Sequence, residues 1–419
     1  MKKWMCALLA CLVLLGAATE SAAGSSALRP VLVTALDHIV EYVLQRHSDR
    51  QGAPGSGAYQ PDSVAWRLWQ YMPDDENFLY SPLSLELALA MAANGAEGET
   101  QQQLVSLLPL SSLEEYNAYA KRLMDTYSGG KEVTLELANS IWLNTSHPSG
   151  AVFQNGYRQV IADAFYGTAR EFTPQTAVAE TGRWVSEKTH GKIRGILTQD
   201  LVEQPDFLAC LINALYLKGQ WASQFAQPLT RDGTFTSRGG TADTVPFMEQ
   251  TGQFGYYEDA DAQMVRLPYR DGKTAMYVAL PAAGGMLDWE AYIEKMQPER
   301  VHIRMPKFRI ETSRSLKGPL AELGAARAFD EDAAQFDAMF VLPDGWNAYI
   351  MDVLQKTYIE VDETGTEAAA VTAVASGAGS APVPAPEIKE FCADRPFVFF
   401  IRDDETGQLL FIGSYAYAQ

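Results

Sequence analysis

The 419-residue sequence is short of positive charge, with 33 lysines and arginines against 52 aspartates and glutamates and a formal net charge of −19. Its densest basic clusters are pairs such as Lys121-Arg122. Binding a phosphate backbone needs clustered Lys and Arg, so the composition argues against a nucleic-acid partner, and no heparin site is evident. Histidine is scarce as well. His38, His47, His147, His190 and His302 stand apart, and no HExxH, CxxC, GxSxG or P-loop pattern is present. No cofactor or metal is expected, no catalytic residue is assigned, and the chain does not read as an enzyme. Cysteine is sparse too. Cys210 and Cys392 are the two beyond the N-terminal leader, too few and too distant for a disulfide framework. Cys210, in FLACLINALYL, reads as a small core residue, and Cys392 as a weakly exposed thiol. No stretch is long and apolar enough to span a bilayer comfortably, and there is no internal repeat.

The N-terminus carries an address. Lys2-Lys3, the apolar run Trp4 to Leu15 and the small residues Ser21-Ala22-Ala23 form an export signal over 1–23, cleaved near Ala23. Leu-Leu-Ala-Cys11 has the look of a lipoprotein signal, but the apolar stretch before it is short. The expected compartment is therefore extracellular or periplasmic. Residues 24–58 form an extension: Leu28, Val31, Leu32, Ala35, Leu36, Ile39, Val43 and Leu44 fall at helical spacing, and Arg50 to Gly57 is a Gly/Pro/Ser linker.

Beyond the linker the pattern is α+β, with helices early and strands late. Pro61 to Tyr71 and the Ala-rich segment after Ser81-Pro82 read as helices, the second of them buried and ended by Gly95. Residues 135–144 read as a strand, Thr173 to His190 as a helix, and 207–221 as a strand inside a sheet. Residues 233–259 carry the turns and short strands of an antiparallel sheet. Residues 264–281 read as a hairpin turning at Asp271-Gly272, and 301–325 as a strand followed by a helix.

The stretch from Asp352 to Phe397 stands out. It starts as a strand, passes through Asp362-Glu363-Thr364-Gly365, and then keeps small side chains as far as Ala381. Thr366, Ala368, Ala370, Thr372, Val374 and Ser376 lie two apart, so an extended backbone places them on one face. Glu367 falls on the other. Proline is absent from Thr364 to Ala381 and then comes at Pro382, Pro384 and Pro386. Such a segment can enter a sheet as a central strand, with a stop placed after it.

Glu363-Thr364-Gly365-Thr366-Glu367-Ala368-Ala369-Ala370-Val371-Thr372, between VLQKTYIEV and EFCADRPFVFFI, resembles the reactive-loop hinge of a serpin. The resemblance, which includes MPKFRIE, runs from Tyr59 almost to the C-terminus and sets a domain at 59–419 with a reactive loop at about 363–390. It implies a large central mixed sheet, two smaller sheets and packed helices. It also implies inhibition of a serine endopeptidase as a suicide substrate, with a covalent acyl complex and insertion of the cut loop into the sheet. The inhibitor is expected to be a monomer without a membrane span.

In this family the attacked carbonyl lies about sixteen residues beyond the position matching Glu363. That gives the bond Gly379-Ser380, with Ala375, Ser376, Ala378 and Ala381 as alternatives because the loop is long. A small uncharged anchor points to an elastase-like or subtilisin-like target. A cysteine protease, or binding without inhibition, are the alternatives. The resemblance further sets Ser81, Ser84, Asn213 and Gln355 at the shutter beneath the opening, and Trp221 near the insertion point. Gln355 stands where the family usually has histidine; an amide does not titrate near neutrality, so no shutter proton is expected to govern opening. Asn144-Thr145-Ser146 is a glycosylation acceptor only in a eukaryotic secretory pathway.

Overall fold

Ser81 holds an extended backbone, and its Oγ accepts a 3.1 Å hydrogen bond from Ser84 N, which caps helix α1 (Pro82–Gly95). Pro82 occupies the first turn, where a backbone N–H would have no helical partner. Every residue of α1 except Asn94 is buried, as expected of a helix that is apolar on all sides. Gly95 is its last residue rather than a stop beyond it. A Cβ there would lie 2.5 Å from Met339 Cε, so glycine serves close packing.

The computed structural model describes residues 64–73, 75–110, 112–127, 132–282, 287–366 and 387–418. The leader, the N-terminal extension, hinge positions Glu367 to Thr372 and every candidate bond from Ala375 to Ala381 lie outside them. After α1 come α2 (Gly98–Val105), α3 (Leu113–Tyr127), α4 (Asn155–Phe165) and α5 (Ala177–Lys188). The helix expected from Thr173 starts at Ala177. Thr176 Oγ1 instead accepts from Thr173 N at 3.2 Å, closing a turn ahead of it.

The central mixed sheet holds β2 (Val133–Asn144), β4 (Thr168–Phe172), β5 (Ala209–Gln220), β11 (Phe308–Ser315), β13 (Asp352–Val361) and β14 (Gly365–Thr366), in the order β11-β13-β14-β5-β2-β4. β5 is buried on both faces, which explains its unbroken apolar run. Its odd-numbered residues Leu211, Leu215 and Leu217 join the core that contains α1. Its even-numbered Cys210, Ile212 and Ala214 pack with Trp142, Trp184 and Val185 beneath α5.

A second sheet runs β1 (Phe78–Tyr80), β17 (Leu409–Tyr415), β16 (Phe397–Asp403), β9 (Thr274–Pro281), β8 (Ala262–Pro268), β7 (Ala242–Glu258), β10 (Gln297–Pro306) and β15 (Lys389–Cys392), with β6 (Arg231–Thr236) also on β7. The two smaller sheets are joined because β7 passes through both. Where short strands were expected, β7 is one strand of 17 residues. Gly252 and Gly255 are not turn residues. A Cβ on the first would lie 3.0 Å from the Phe254 ring, and on the second 3.2 Å from Arg266 Cβ. β3 (Val152–Phe153) and β12 (Phe340–Val341) form a small third pairing. Among the described residues no helix is long and apolar enough to cross a membrane.

Candidate functional site: the opening of the central sheet

β13 and β5 are parallel neighbours over Asp352–Tyr358 and Cys210–Tyr216. Above Tyr358 they part, and Gly365-Thr366 enters between them. Gly365 pairs with Gln220, and Thr366 pairs with both Gly219 and Val361. The chain reverses through Asp362, whose Oδ1 accepts from Thr364 N at 2.8 Å and Gly365 N at 3.2 Å. Gly365 is required here, since a Cβ would overlap the Gly219 carbonyl oxygen.

This turn is pinned from one side by Trp221. Its backbone N–H donates to Thr364 O and its Nε1 to Asp362 O, both at 3.0 Å. Its ring stacks on Tyr269 at 4.7 Å. The Tyr269 hydroxyl shares a hydrogen bond with Thr366 Oγ1, and both groups are fully buried. Thr366 therefore points into the core that contains α1.

Glu363 holds the other side. Its carboxylate pairs with Lys307 Nζ at 2.8 Å and accepts from Thr230 Oγ1 at 2.6 Å. Burial alone would raise its pKa, but these hydrogen bonds and the Lys307 charge outweigh burial and hold it below the usual carboxylate value. A depressed acid contributes stability above the unfolded value, and that contribution is lost as pH falls through the folded one. Acidification below about pH 4.5 should therefore loosen the turn. Glu363→Gln should cost about 1–2 kcal/mol at neutral pH and abolish that acid dependence. Exchange protection of the Gly365 and Thr366 amides against pH checks both expectations.

Beneath the closed part of the gap lies a polar cluster. Gln355 Oε1 accepts from Ser81 N and its Nε2 donates to Ser81 O, each at 2.9 Å. β13 is thus tied to the N-terminus of α1. Asn213 Nδ2 donates to Asn139 Oδ1 at 2.6 Å, so its partner is this neighbour on β2 rather than Ser81 or Ser84. Ser84 Oγ, Asn213 Oδ1 and Asn139 Nδ2 are buried with no partner among the described residues.

A model of the family described as Serpin (serine protease inhibitor) matches residues 60–417. The chain belongs to the serpin family. An uncharacterized serpin-like protein of Thermococcus kodakarensis is 35% identical, covering 81% of this chain and 80% of that one. The leukocyte elastase inhibitor of Xenopus tropicalis is 32% identical, covering 81% of this chain and 93% of that one. Among solved structures, the thermophilic serpin tengpin in its native state superposes with a TM-score of 0.75 at 31% identity, covering 84% of this chain and 92% of that one.

In this serpin the residues flagged in the sequence meet at two levels of one gap: Glu363 to Thr366 with Trp221 at its mouth, and Ser81, Ser84, Asn213 and Gln355 below. Tyr269, Lys307, Thr230 and Asn139 were missed. The lone Asn139 in the apolar run LELANSIWL was a usable signal, whereas the others are brought in only by the fold.

The three histidines among the described residues stay apart, and His38 and His47 lie outside them. His147 accompanies Ser149, His190 lies 3.6 Å from Glu136, and His302 pairs with Glu390 at 2.8 Å. Burial lowers the His147 pKa. Burial also raises both thiols, Cys210 in the core and Cys392 half-buried in β15. Asn144 is buried, with Nδ2 on Phe207 O at 2.9 Å and Oδ1 accepting from Ser146 N at 3.0 Å.

Proposed function

We propose that this serpin is a suicide-substrate inhibitor of a serine endopeptidase whose cut loop becomes a further strand of the central sheet. The observation that carries this reading is that Gly365-Thr366 already pairs with both flanking strands. Continuing its register down β5 sets Thr372 opposite Asn213; continuing the Thr366–Val361 pairing down β13 sets Thr372 opposite Gln355. Those two are themselves partners, so both edges agree on one register. Residues opposite each other share a face, and Thr366 faces the core. Ala368, Ala370, Thr372, Val374 and Ser376 then follow it inward, where small side chains fit over α1, and Glu367 faces out. The Thr372 hydroxyl arrives beside the unpartnered Asn213 Oδ1.

The same register ends with Ser376 opposite Ala209 and Ala375 opposite Asp352. A cut at Gly379-Ser380 leaves a short tether beyond the last paired residue to hold the acyl-enzyme. A cut at Ala375 or Ser376 would leave almost none. In the reaction the protease serine attacks the Gly379 carbonyl, the Gly379–Ser380 amide breaks, and the Ser380 amine leaves with the proton supplied by the protease's general acid. Pairing about ten residues on both edges, at about 1 kcal/mol net per hydrogen bond, releases on the order of 10–20 kcal/mol. A folded protease is stable by only about 5–15 kcal/mol, so its distortion is within reach.

A small anchor fits elastase-like or subtilisin-like pockets, in keeping with the name of the Xenopus relative. The leader supports export, and the inhibitor is expected to act as a monomer. The test mixes the protein with elastase, subtilisin, trypsin and papain. A denaturant-resistant complex with elastase or subtilisin, and a released peptide beginning at Ser380 by mass spectrometry, are expected. A complex only with papain moves the target to cysteine proteases. Cleavage or inertness throughout the panel, without any complex, leaves a serpin-fold binder and refutes the inhibitor reading.

A further inference from the structure

Helix α1 carries one carboxyl group in its apolar length, that of Glu86, and it is fully buried. Oε2 accepts a single long hydrogen bond, 3.3 Å from Gln408 Nε2, and Oε1 has no partner among the described residues. Gln408 is also fully buried, at the end of the turn that joins β16 to β17. Its Oε1 accepts from the Tyr119 hydroxyl of α3 at 2.8 Å, and its Nε2 also donates to Leu409 O at 3.2 Å.

The contrast with nearby Asp403 is instructive. Asp403 accepts from the Tyr127 hydroxyl at 2.7 Å and from the backbone N–H groups of Glu405 and Thr406 at 3.0 and 3.1 Å. The protein solvates that carboxylate and leaves Glu86 bare.

Among the described residues no cation compensates Glu86 either. Arg122 on α3 lies over the Tyr119 ring at 5.9 Å, and Lys273, from the β8–β9 turn, lies over the Tyr127 ring at 5.5 Å. Asp271 on the same turn bonds Thr274. On the other sides of α1, Tyr157 of α4 donates to Met91 O, and Tyr80 of β1 donates to Ala65 O. β2 and β5 face it with leucines, Ile141 and the Asn139–Asn213 pair. An ionised carboxylate so placed is costly, and burial pushes the Glu86 pKa up to about 8.

We propose that Glu86 is a proton-operated brace: in its neutral form it seats α1 against the turn carrying Gln408, and its ionisation loosens α1 and, through Ser81, the strand carrying Gln355. The shutter amides do not titrate; the titrating group lies on the helix whose N-cap, Ser81, holds Gln355. An acid whose pKa is raised on folding contributes stability that is complete below its unfolded value and lost as pH rises through the folded one. Glu86 thus weakens the native form from about pH 4.5 to about 8, while Glu363 weakens it only in acid. The inference does not require that the loop trap a protease.

The test follows urea unfolding, and the lifetime of the uncut native form by Trp fluorescence, on the full chain from about pH 6 to 9.5. The wild-type unfolding constant should rise by up to about tenfold per pH unit until near pH 8, and the native lifetime should shorten in parallel. Glu86→Gln keeps the shape without the proton and should flatten both profiles, and Glu86→Leu should do the same. An unchanged alkaline slope in either variant overturns the proposal. Should neither variant fold, a wild-type protein no weaker at pH 8 than at pH 6 overturns it as well.

Discussion

If the loop acts as proposed, Thr366→Arg should turn inhibition by this serpin into simple cleavage as a substrate. Thr366 is fully buried beside Trp221, with its hydroxyl on that of Tyr269 and its backbone between Gly219 and Val361. An arginine there would bring a charge into a fully buried position, which is costly. It must stay out of the sheet, so the first step of insertion is lost. Insertion competes with hydrolysis of the acyl-enzyme, and each 1.4 kcal/mol added to the insertion barrier shifts that competition about tenfold. A barrier raised by about 3 kcal/mol leaves about one complex per hundred cleavages. The protease should still cut at the same bond at a similar rate. Thr366→Ser, which keeps the hydroxyl, should inhibit as the wild type does. Stable complexes in the arginine variant at wild-type yield would contradict the inserted-hinge account.

Trp221→Ala should be the most damaging single change at the mouth of the gap. The indole is buried, stacks on Tyr269 at 4.7 Å and donates to Asp362 O. Removing it opens a cavity, strips the stack and leaves a buried carbonyl without its donor. A loss of about 3–5 kcal/mol is expected. The turn Asp362–Gly365 should then loosen, seen as lost exchange protection at Gly365 and Thr366. Trp221→Phe retains most of the stack and loses only the donated hydrogen bond, so about 1–2 kcal/mol is expected. Equal losses in the two variants would show that the ring contributes little.

Much of this site could be read in the sequence because its determinants are local. The two-residue rhythm from Thr366 to Ser376 fixes which side chains turn inward, and the observed burial of Thr366 sets that face on the core. α1 and β5 announced themselves by continuous apolar composition. What the sequence hid depends on contacts across long separations. Lys307 meets Glu363, and Tyr269 meets Thr366, only because three separate segments converge at the mouth of the gap. Gly252 and Gly255 imitate turns because a glycine chosen for close packing looks the same in one dimension as one chosen for its backbone. Glu86 looks like a surface residue until the helix around it proves buried on every side.

The central claim is that the uncut molecule is metastable and that its loop belongs, energetically, inside the sheet. The most direct measurement nicks the loop with a protease the protein does not trap and compares thermal unfolding before and after. A gain on the order of 10 kcal/mol predicts a midpoint higher by roughly 10 °C or more, with new exchange protection over residues 367–376. A nicked protein that melts where the intact one does, with no protection gained over that segment, would contradict the account.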